Sequence, residues 1–214
     1  MGRPARFTRE ELQAKALSIV DEHGLEALSM RSLAQALGTG AMTLYNYVGT
    51  REELDVLVVE AVAGKATWVV PQGCRWEEEL VVIARALWSA VRAHPHAVPL
   101  ILTCRSRSPT TLRVAEALLA SIARAGLQGD GLLIAFRSVM ALIIGLAQGE
   151  LAGPLALRAG ESAEETIERF RSLPADCFPC LREAADAAAS SNPDHEFNES
   201  LRLLIAGIKN AKAR

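Results

Sequence analysis

Apolar residues recur along this chain at intervals of three and four, and almost nowhere at the alternate positions a half-buried strand would need. Leu12, Ala16, Ile19 and Val20 form one stripe behind Thr8-Arg9-Glu10-Glu11, whose threonine and last glutamate have capping-box spacing, and Gly24 supplies a stop. Ser29 is the expected N-cap of a second short helix through Leu33, Ala34 and Leu37, closed by Gly38. Residues 41–47 predict a third. Thr50-Arg51-Glu52-Glu53 reads as a second capping box, opening a helix that ends near Gly64.

Pro71 and Gly73 mark a linker before Trp76. Trp76, Leu80, Ile83, Ala84, Leu87, Trp88 and Val91 then predict a helix stopped at His94-Pro95, with a short piece over 98–104. Ser108-Pro109 opens another helix, through Leu112, Ala115, Leu118, Leu119 and Ile122 to Gly126. Residues 130–152 are apolar on nearly every face, a pattern that must be covered twice: by the chain itself and by a partner. Gly153-Pro154 ends that helix and 156–163 reads as loop. Helices over 163–172, 178–190 and 194–211 follow, the last with Phe197, Leu201, Leu204, Ile205 and Ile208 on one face. The expected fold is all-α: a three-helix helix-turn-helix module (1–50), a connecting helix and linker (51–70), and a larger helical domain (71–214).

Composition changes this picture little. Of 214 residues, 50% are hydrophobic, 22% charged and only 5% aromatic, ordinary for a globular helical chain. The net charge of −2 and pI near 6.1 do not announce a nucleic-acid binder, so local charge has to decide. The opening MGRPARFTREEL lacks the apolar core of a secretory leader, and four cysteines (Cys74, Cys104, Cys177 and Cys180) suit a reduced compartment. The greasiest run, 132–147, is interrupted by Arg137 and Ser138 and falls short of the ~20 apolar residues a bilayer needs. A soluble cytoplasmic protein with no membrane segment is expected.

Two short helices joined at a glycine have helix-turn-helix proportions, an outline that is nonspecific by itself. Its surroundings strengthen it. Arg3, Arg6 and Arg9 form a basic arm, able to reach phosphates or a minor groove. Arg31 and Arg51 sit at helix N-termini, where a cation opposes the helix dipole, and a phosphate received there would explain both. Tyr45 and Tyr47 read either as packing residues with a wet hydroxyl or as a surface that touches DNA.

The run EALSMRSLAQALGTGAMTLYNYVGTREEL resembles the DNA-binding domain of the TetR family of bacterial repressors, on its small-residue turn, Leu44-Tyr45, Tyr47 and Arg51. FNESLRLLIAGI and His94-Pro95 are similar to the tetracycline-repressor-like branch. The resemblance implies a ligand-responsive, homodimeric regulator of transcription that binds a palindromic double-stranded DNA operator and is released by a small molecule of unknown identity. Its phosphate contacts fall on Arg31, Thr43, Tyr45, Tyr47 and Arg51, and its base-facing positions on Met30, Arg31, Ala41, Met42 and Thr43. Ala41 and Met42 offer only van der Waals contact, and Asn46 replaces a more usual aromatic.

The resemblance further implies an effector pocket, whose walls are expected from Trp76, Leu80, Trp88, Leu100, Cys104, Leu118, Phe136, Arg137 and Met140. Arg137, if buried, needs an acid such as Glu116 or Glu150, or an anionic ligand. A dimer seam is expected on Ala141, Gly145, Leu201, Leu204, Ile205 and Ile208. No metal or cofactor is called for: His94-Pro95-His96 lacks companion ligands, and its first histidine is placed near its own helix's last carbonyls. Cys177-Phe178-Pro179-Cys180 lacks the context of a zinc or thioredoxin site and reads as two incidental thiols, with redox sensing the alternative. An enzyme has no nucleophile or phosphate loop to build on. The remaining alternative is a helical adaptor or activator of the same fold with weakened sequence-specific DNA binding.

Overall fold

The computed structural model describes residues 6–104, 108–152, 162–190 and 192–211, so Arg3 lies outside the described residues. In chain order the helices are α1 (Arg9–His23), α2 (Met30–Ala36), α3 (Ala41–Leu44), α4 (Arg51–Lys65), α5 (Trp76–Ala93), α6 (Val98–Thr103), α7 (Pro109–Ala123), α8 (Gly129–Ala152), α9 (Ala163–Arg171), α10 (Pro179–Ala188) and α11 (Pro193–Ala211). Short 3-10 turns at Leu25–Ala27 and Pro95–Ala97 complete the described elements, among which there is no strand. The fold is all-α, as the periodicity requires. The first 3-10 turn has no apolar period and so left no sign in the sequence.

The helix starts follow the capping chemistry. Thr8 accepts the Glu11 N–H at 3.2 Å while the Glu11 carboxylate accepts the Thr8 N–H at 2.8 Å, a complete capping box. Ser29 and Ser32 form a second reciprocal pair at the start of α2. The box expected at Thr50 is only half formed. Thr50 accepts from the Glu53 N–H at 3.2 Å, but the Glu53 carboxylate turns to the Gly49 N–H at 2.6 Å.

The chain divides into two compact units, Met1–Ser121 and Ile122–Arg214, the boundary falling inside α7 rather than at the 71–73 linker. In the first unit α1 packs along α4, and Leu12, Ala16, Val20, Leu54, Leu57 and Val58 are buried. α2 packs on α3 with Leu33, Ala34 and Leu44 buried. Removing a leucine side chain such as Leu44 from water contributes roughly 1.5–3 kcal/mol.

In the second unit α8 packs on α11. Ala135, Val139, Ile143 and Ala147, each four residues on, are buried, as are Phe197, Leu201, Ile205 and Ile208. That single stripe leaves apolar residues of α8 uncovered: Ile134 is 64% exposed and Leu133 43%. α9 and α10 form a hairpin tied by Arg171 to Asp186 at 2.7 Å and by the Arg182 guanidinium donating to the Leu173 carbonyl at 2.7 Å.

One expectation needs correcting. Gly129–Gln148, 20 residues of mean hydropathy 1.9, is by length and composition alone long and apolar enough to cross a bilayer. Arg137 and Ser138 interrupt the apolar run, but they do not interrupt the helix.

Candidate nucleic-acid interface and regulatory site

The turn between α2 and α3 is built from glycine. Gly38 has φ +62°, a left-handed conformation that a side chain disfavours, and the Thr39 N–H reaches back to the Ala34 carbonyl at 2.9 Å. α3 is N-capped by Gly40 and ends early. Past Leu44 the chain tightens, with Tyr47 N–H to Leu44 O at 2.8 Å, so the helix expected over 41–47 is one α turn and a tighter tail.

The faces of this pair are sharply divided. Leu44 is fully buried, and Val48 is 1% exposed. Met42 is 79% exposed and Tyr45 52%, Arg31 at the start of α2 is exposed too, and Met30, Ala41 and Thr43 are half-buried. The side chains of Arg31 and Tyr45 have no hydrogen-bond or ion-pair partner among the described residues. Donors left free by the fold remain available for an external anion.

Three of the expected DNA contacts have work inside the chain. The Tyr47 hydroxyl accepts the N–H of Arg6 at 2.8 Å and that of Phe7 at 3.4 Å, with the Phe7 ring edge-on at 6.0 Å. Arg6 donates its guanidinium to the Gly38 carbonyl at 3.3 Å. Arg51 donates to the Leu28 carbonyl and pairs with Asp55 at 3.0 Å. Its place at a helix N-terminus therefore has an intramolecular cause, and no phosphate is required to explain it. Arg9, read from sequence as part of the arm, instead meets the buried Glu60 at 2.8 Å, where Gln13 also donates at 2.7 Å. Burial pushes the Asp55 carboxyl above its usual range, and the Arg51 charge works against that shift.

The histidines after α5 hold the other end of α1. His94 Nδ1 lies 2.8 Å from Asp21 Oδ2, and His96 Nδ1 lies 3.2 Å from both the Val20 and Asp21 carbonyls. His94 does cap its own helix, its N–H donating to the Val91 carbonyl at 3.1 Å, but the partner of its ring is 73 residues away in sequence, which no local pattern could reveal. A cavity of about 330 Å³ adjoins the joint, lined by residues of α1 and α4 including Glu10, Asp21 and Lys65, with His94. None of the nine expected effector-pocket residues borders it.

Those nine fall on both units. On the first, Leu80, Trp88 and Leu118 are buried, and Trp76, Leu100 and Cys104 are half-buried. Burial pushes the Cys104 thiol up, reinforced by the carboxylates of Asp55 and Glu60 on α4. On the second, Phe136 and Met140 are half-buried. Arg137 is exposed, so the demand for a buried counter-charge, and the anionic ligand inferred from it, lose their premise; Glu116 is exposed too, and the Glu150 side chain is outside the described residues. Of the expected seam, Ala141 and Gly145 are exposed and Leu204 half-buried, whereas Leu201, Ile205 and Ile208 are already covered within the chain. Leu203, which the helical stripe skips, is 63% exposed instead. No group of three or more His, Cys, Asp or Glu side chains able to hold a metal occurs among the described residues.

Comparison with known proteins places this geometry. The family profile described as "Tetracyclin repressor-like, C-terminal domain" matches residues 70–211. The chain is 30% identical to the HTH-type transcriptional repressor DrrR1 of Streptomyces coeruleorubidus, over 97% of this chain and 81% of that protein. It is 28% identical to the class A tetracycline repressor from transposon 1721 of Escherichia coli, over 90% of this chain and 86% of that one. Its fold superposes on apo ActR of Streptomyces coelicolor with a TM-score of 0.83 at 29% identity, covering 99% of this chain and 100% of ActR. The ActR complex with actinorhodin matches with a TM-score of 0.82 at 28% identity, over 98% and 100%.

Proposed function

Because this chain belongs to the TetR family of ligand-responsive transcriptional regulators, we propose that it acts as a homodimeric repressor: it grips a palindromic operator through α2 and α3 and lets go when a small molecule binds. The observation that carries the DNA-binding part is the division of the reading pair. Leu44 anchors α3 while Arg31, Met42 and Tyr45 stand free on the surface. Tyr45 and Arg31 contact phosphates, Met42 and Ala41 pack against base edges such as thymine methyls, and Thr43 supplies the polar contact. With few direct hydrogen bonds to bases, operator choice leans on DNA shape.

Two-fold symmetry sets two such heads on successive major grooves ~34–36 Å apart. The uncovered apolar side of α8, with Ile134, Ala141 and Gly145, and Leu203 of α11 supply the seam. A protein that works on DNA in this way is cytoplasmic, and the apolar length of α8 serves the dimer rather than a bilayer. Among the expected walls, Trp76 and Trp88 of α5 in the first unit offer the effector its aromatic contacts. A coupling of ~1–3 kcal/mol between effector and DNA sites suffices for regulation. No enzymatic turnover is assigned to it.

The test is retention of DNA upstream of the protein's own gene in a gel-shift assay, with Arg31→Ala and Tyr45→Ala compared at matched folding. Loss of the complex in both, with dimerisation intact, is the expected result. Undiminished binding would sink the interface. Binding without sequence preference would favour the adaptor.

A further inference from the structure

The regulator reading leaves Cys177-Phe178-Pro179-Cys180 unused, and the structure gives it a setting the sequence lacked. Both thiols are free and exposed, whereas Cys74 and Cys104 are half-buried. Cys177 closes a turn, its N–H donating to the Pro174 carbonyl at 3.2 Å, and Cys180 lies in the first turn of α10 behind Pro179. The Phe178 N–H shares the Pro174 carbonyl at 2.9 Å, and the Arg182 N–H meets the Phe178 carbonyl at 3.2 Å. The backbone turns once over 174–178 and, past the non-helical Phe178, enters α10.

Residues three apart on a regular helix lie about 5–6 Å apart between Cβ atoms; here Cys177 and Cys180 flank the junction of turn and helix at Phe178. A disulfide needs about 3.5–4.5 Å. Phe178, the intervening N-cap with φ −132° and ψ 48°, is the joint about which the two cysteines close to that distance. Nothing nearby resists the adjustment, because residues 174–181 are exposed and the buried residue of α10 is Ala185, beyond the motif.

The geometry points to Cys177 and Cys180 as a dithiol modification site that low-molecular-weight disulfides oxidise to an intrachain disulfide. One cysteine, as thiolate, attacks a sulfur of the small disulfide and expels one thiol, leaving a mixed disulfide. The second cysteine attacks the protein sulfur of that adduct and expels the other thiol. In sum, the two protein thiols lose two electrons and two protons, and the small disulfide becomes two thiols. The short spacing makes the second attack intramolecular, which disfavours accumulation of the mixed adduct. This assignment does not depend on the DNA-binding reading.

The full chain is treated briefly with oxidised glutathione, quenched by alkylation under denaturing conditions and digested with trypsin. Cleavage after Arg171 and Arg182 leaves both cysteines in one peptide, 172–182. That peptide is expected to lose both alkyl labels and weigh two hydrogens less, to regain both labels after dithiothreitol, and to close before Cys74 or Cys104 reacts. Cys177→Ser and Cys180→Ser should each stop at the glutathione adduct on the remaining thiol. The proposal is overturned if the wild-type peptide keeps both labels, ends as glutathione adducts or chain-to-chain links, or reacts no faster than Cys74 and Cys104.

Discussion

The Tyr47 hydroxyl and the Arg6 backbone N–H, 41 residues apart, meet at 2.8 Å and fasten the chain ahead of α1 to the tail of α3. A tyrosine expected to face DNA is thus a strut that sets where the arm leaves the module. Tyr47→Phe keeps the ring against Phe7 and deletes only the acceptor. Denaturant unfolding should show a loss of about 1 kcal/mol, while operator affinity falls because the arm is released. Unchanged stability and affinity together would show the strut to be idle.

Arg51 and Tyr45 separate by the same logic. Arg51→Ala removes the donor to the Leu28 carbonyl and the partner of Asp55. It should cost about 1.5–3 kcal/mol, visible as a lower urea midpoint. Tyr45→Ala, at a side chain 52% exposed, should leave that midpoint nearly unmoved while abolishing DNA retention. The reverse ranking of the two midpoints would contradict the structure.

Asp55 carries a pH signature. Its folded-state pKa is raised, chiefly by burial, so between the unfolded and folded values the native state holds more proton than the unfolded one. Its favourable contribution is fully present below the unfolded value, near 3.8, and is lost as pH rises through the higher folded value. Subtracting the unfolding free energy of Asp55→Asn from that of the wild type at a series of pH values should therefore give a difference that grows toward acid. A difference that shrinks toward acid falsifies the assignment.

Arg9 and Glu60 are unequal partners. Glu60 is 2% exposed and the Arg9 side chain 53%, so losing the arginine takes a cation from a buried carboxylate that keeps Gln13, while losing the glutamate returns a cation to water. Arg9→Ala should cost about 1.5–3 kcal/mol. Glu60→Met should cost less, and the double variant should recover part of the Arg9→Ala loss. A double-mutant cycle on unfolding free energies reads this directly, and strict additivity would rule the pairing out.

The seam can be tested from outside the core. Ile134→Glu and Leu203→Glu place charges on exposed apolar positions and should yield folded monomers by sedimentation. Leu201→Glu, at a residue 1% exposed, should instead unfold the second unit. Dimers that survive both surface changes would place the interface elsewhere.

Helix count and most helix limits were legible because stripes, caps and glycine stops are local signals, as Thr8-Glu11 and Ser29-Ser32 illustrate. The face of α3 was legible too, since Leu44 could be told from Met42 by chemistry alone. What escaped were side chains whose partners lie far along the chain. Arg9 meets Glu60 across 51 residues and His94 meets Asp21 across 73, distances over which no period speaks. The partners of Arg51 inside the chain escaped for a related reason: a helix dipole argues about charge at a terminus, but not about a carbonyl that the fold brings beside it. On α11 the stripe was found and its direction misassigned, because an apolar face looks the same whether its cover is α8 or a second chain.

α1 is held at both ends by different parts of the first unit. Near its start stand the Arg9–Glu60 pair and the strut to Tyr47, and at its finish stand His94 and His96. Fifteen helical residues span about 22 Å and do not shorten under load. The helix is therefore a stiff rod between the tail of α3 and the lead-in to α6, and a displacement imposed at one end arrives at the other without being lost as compression.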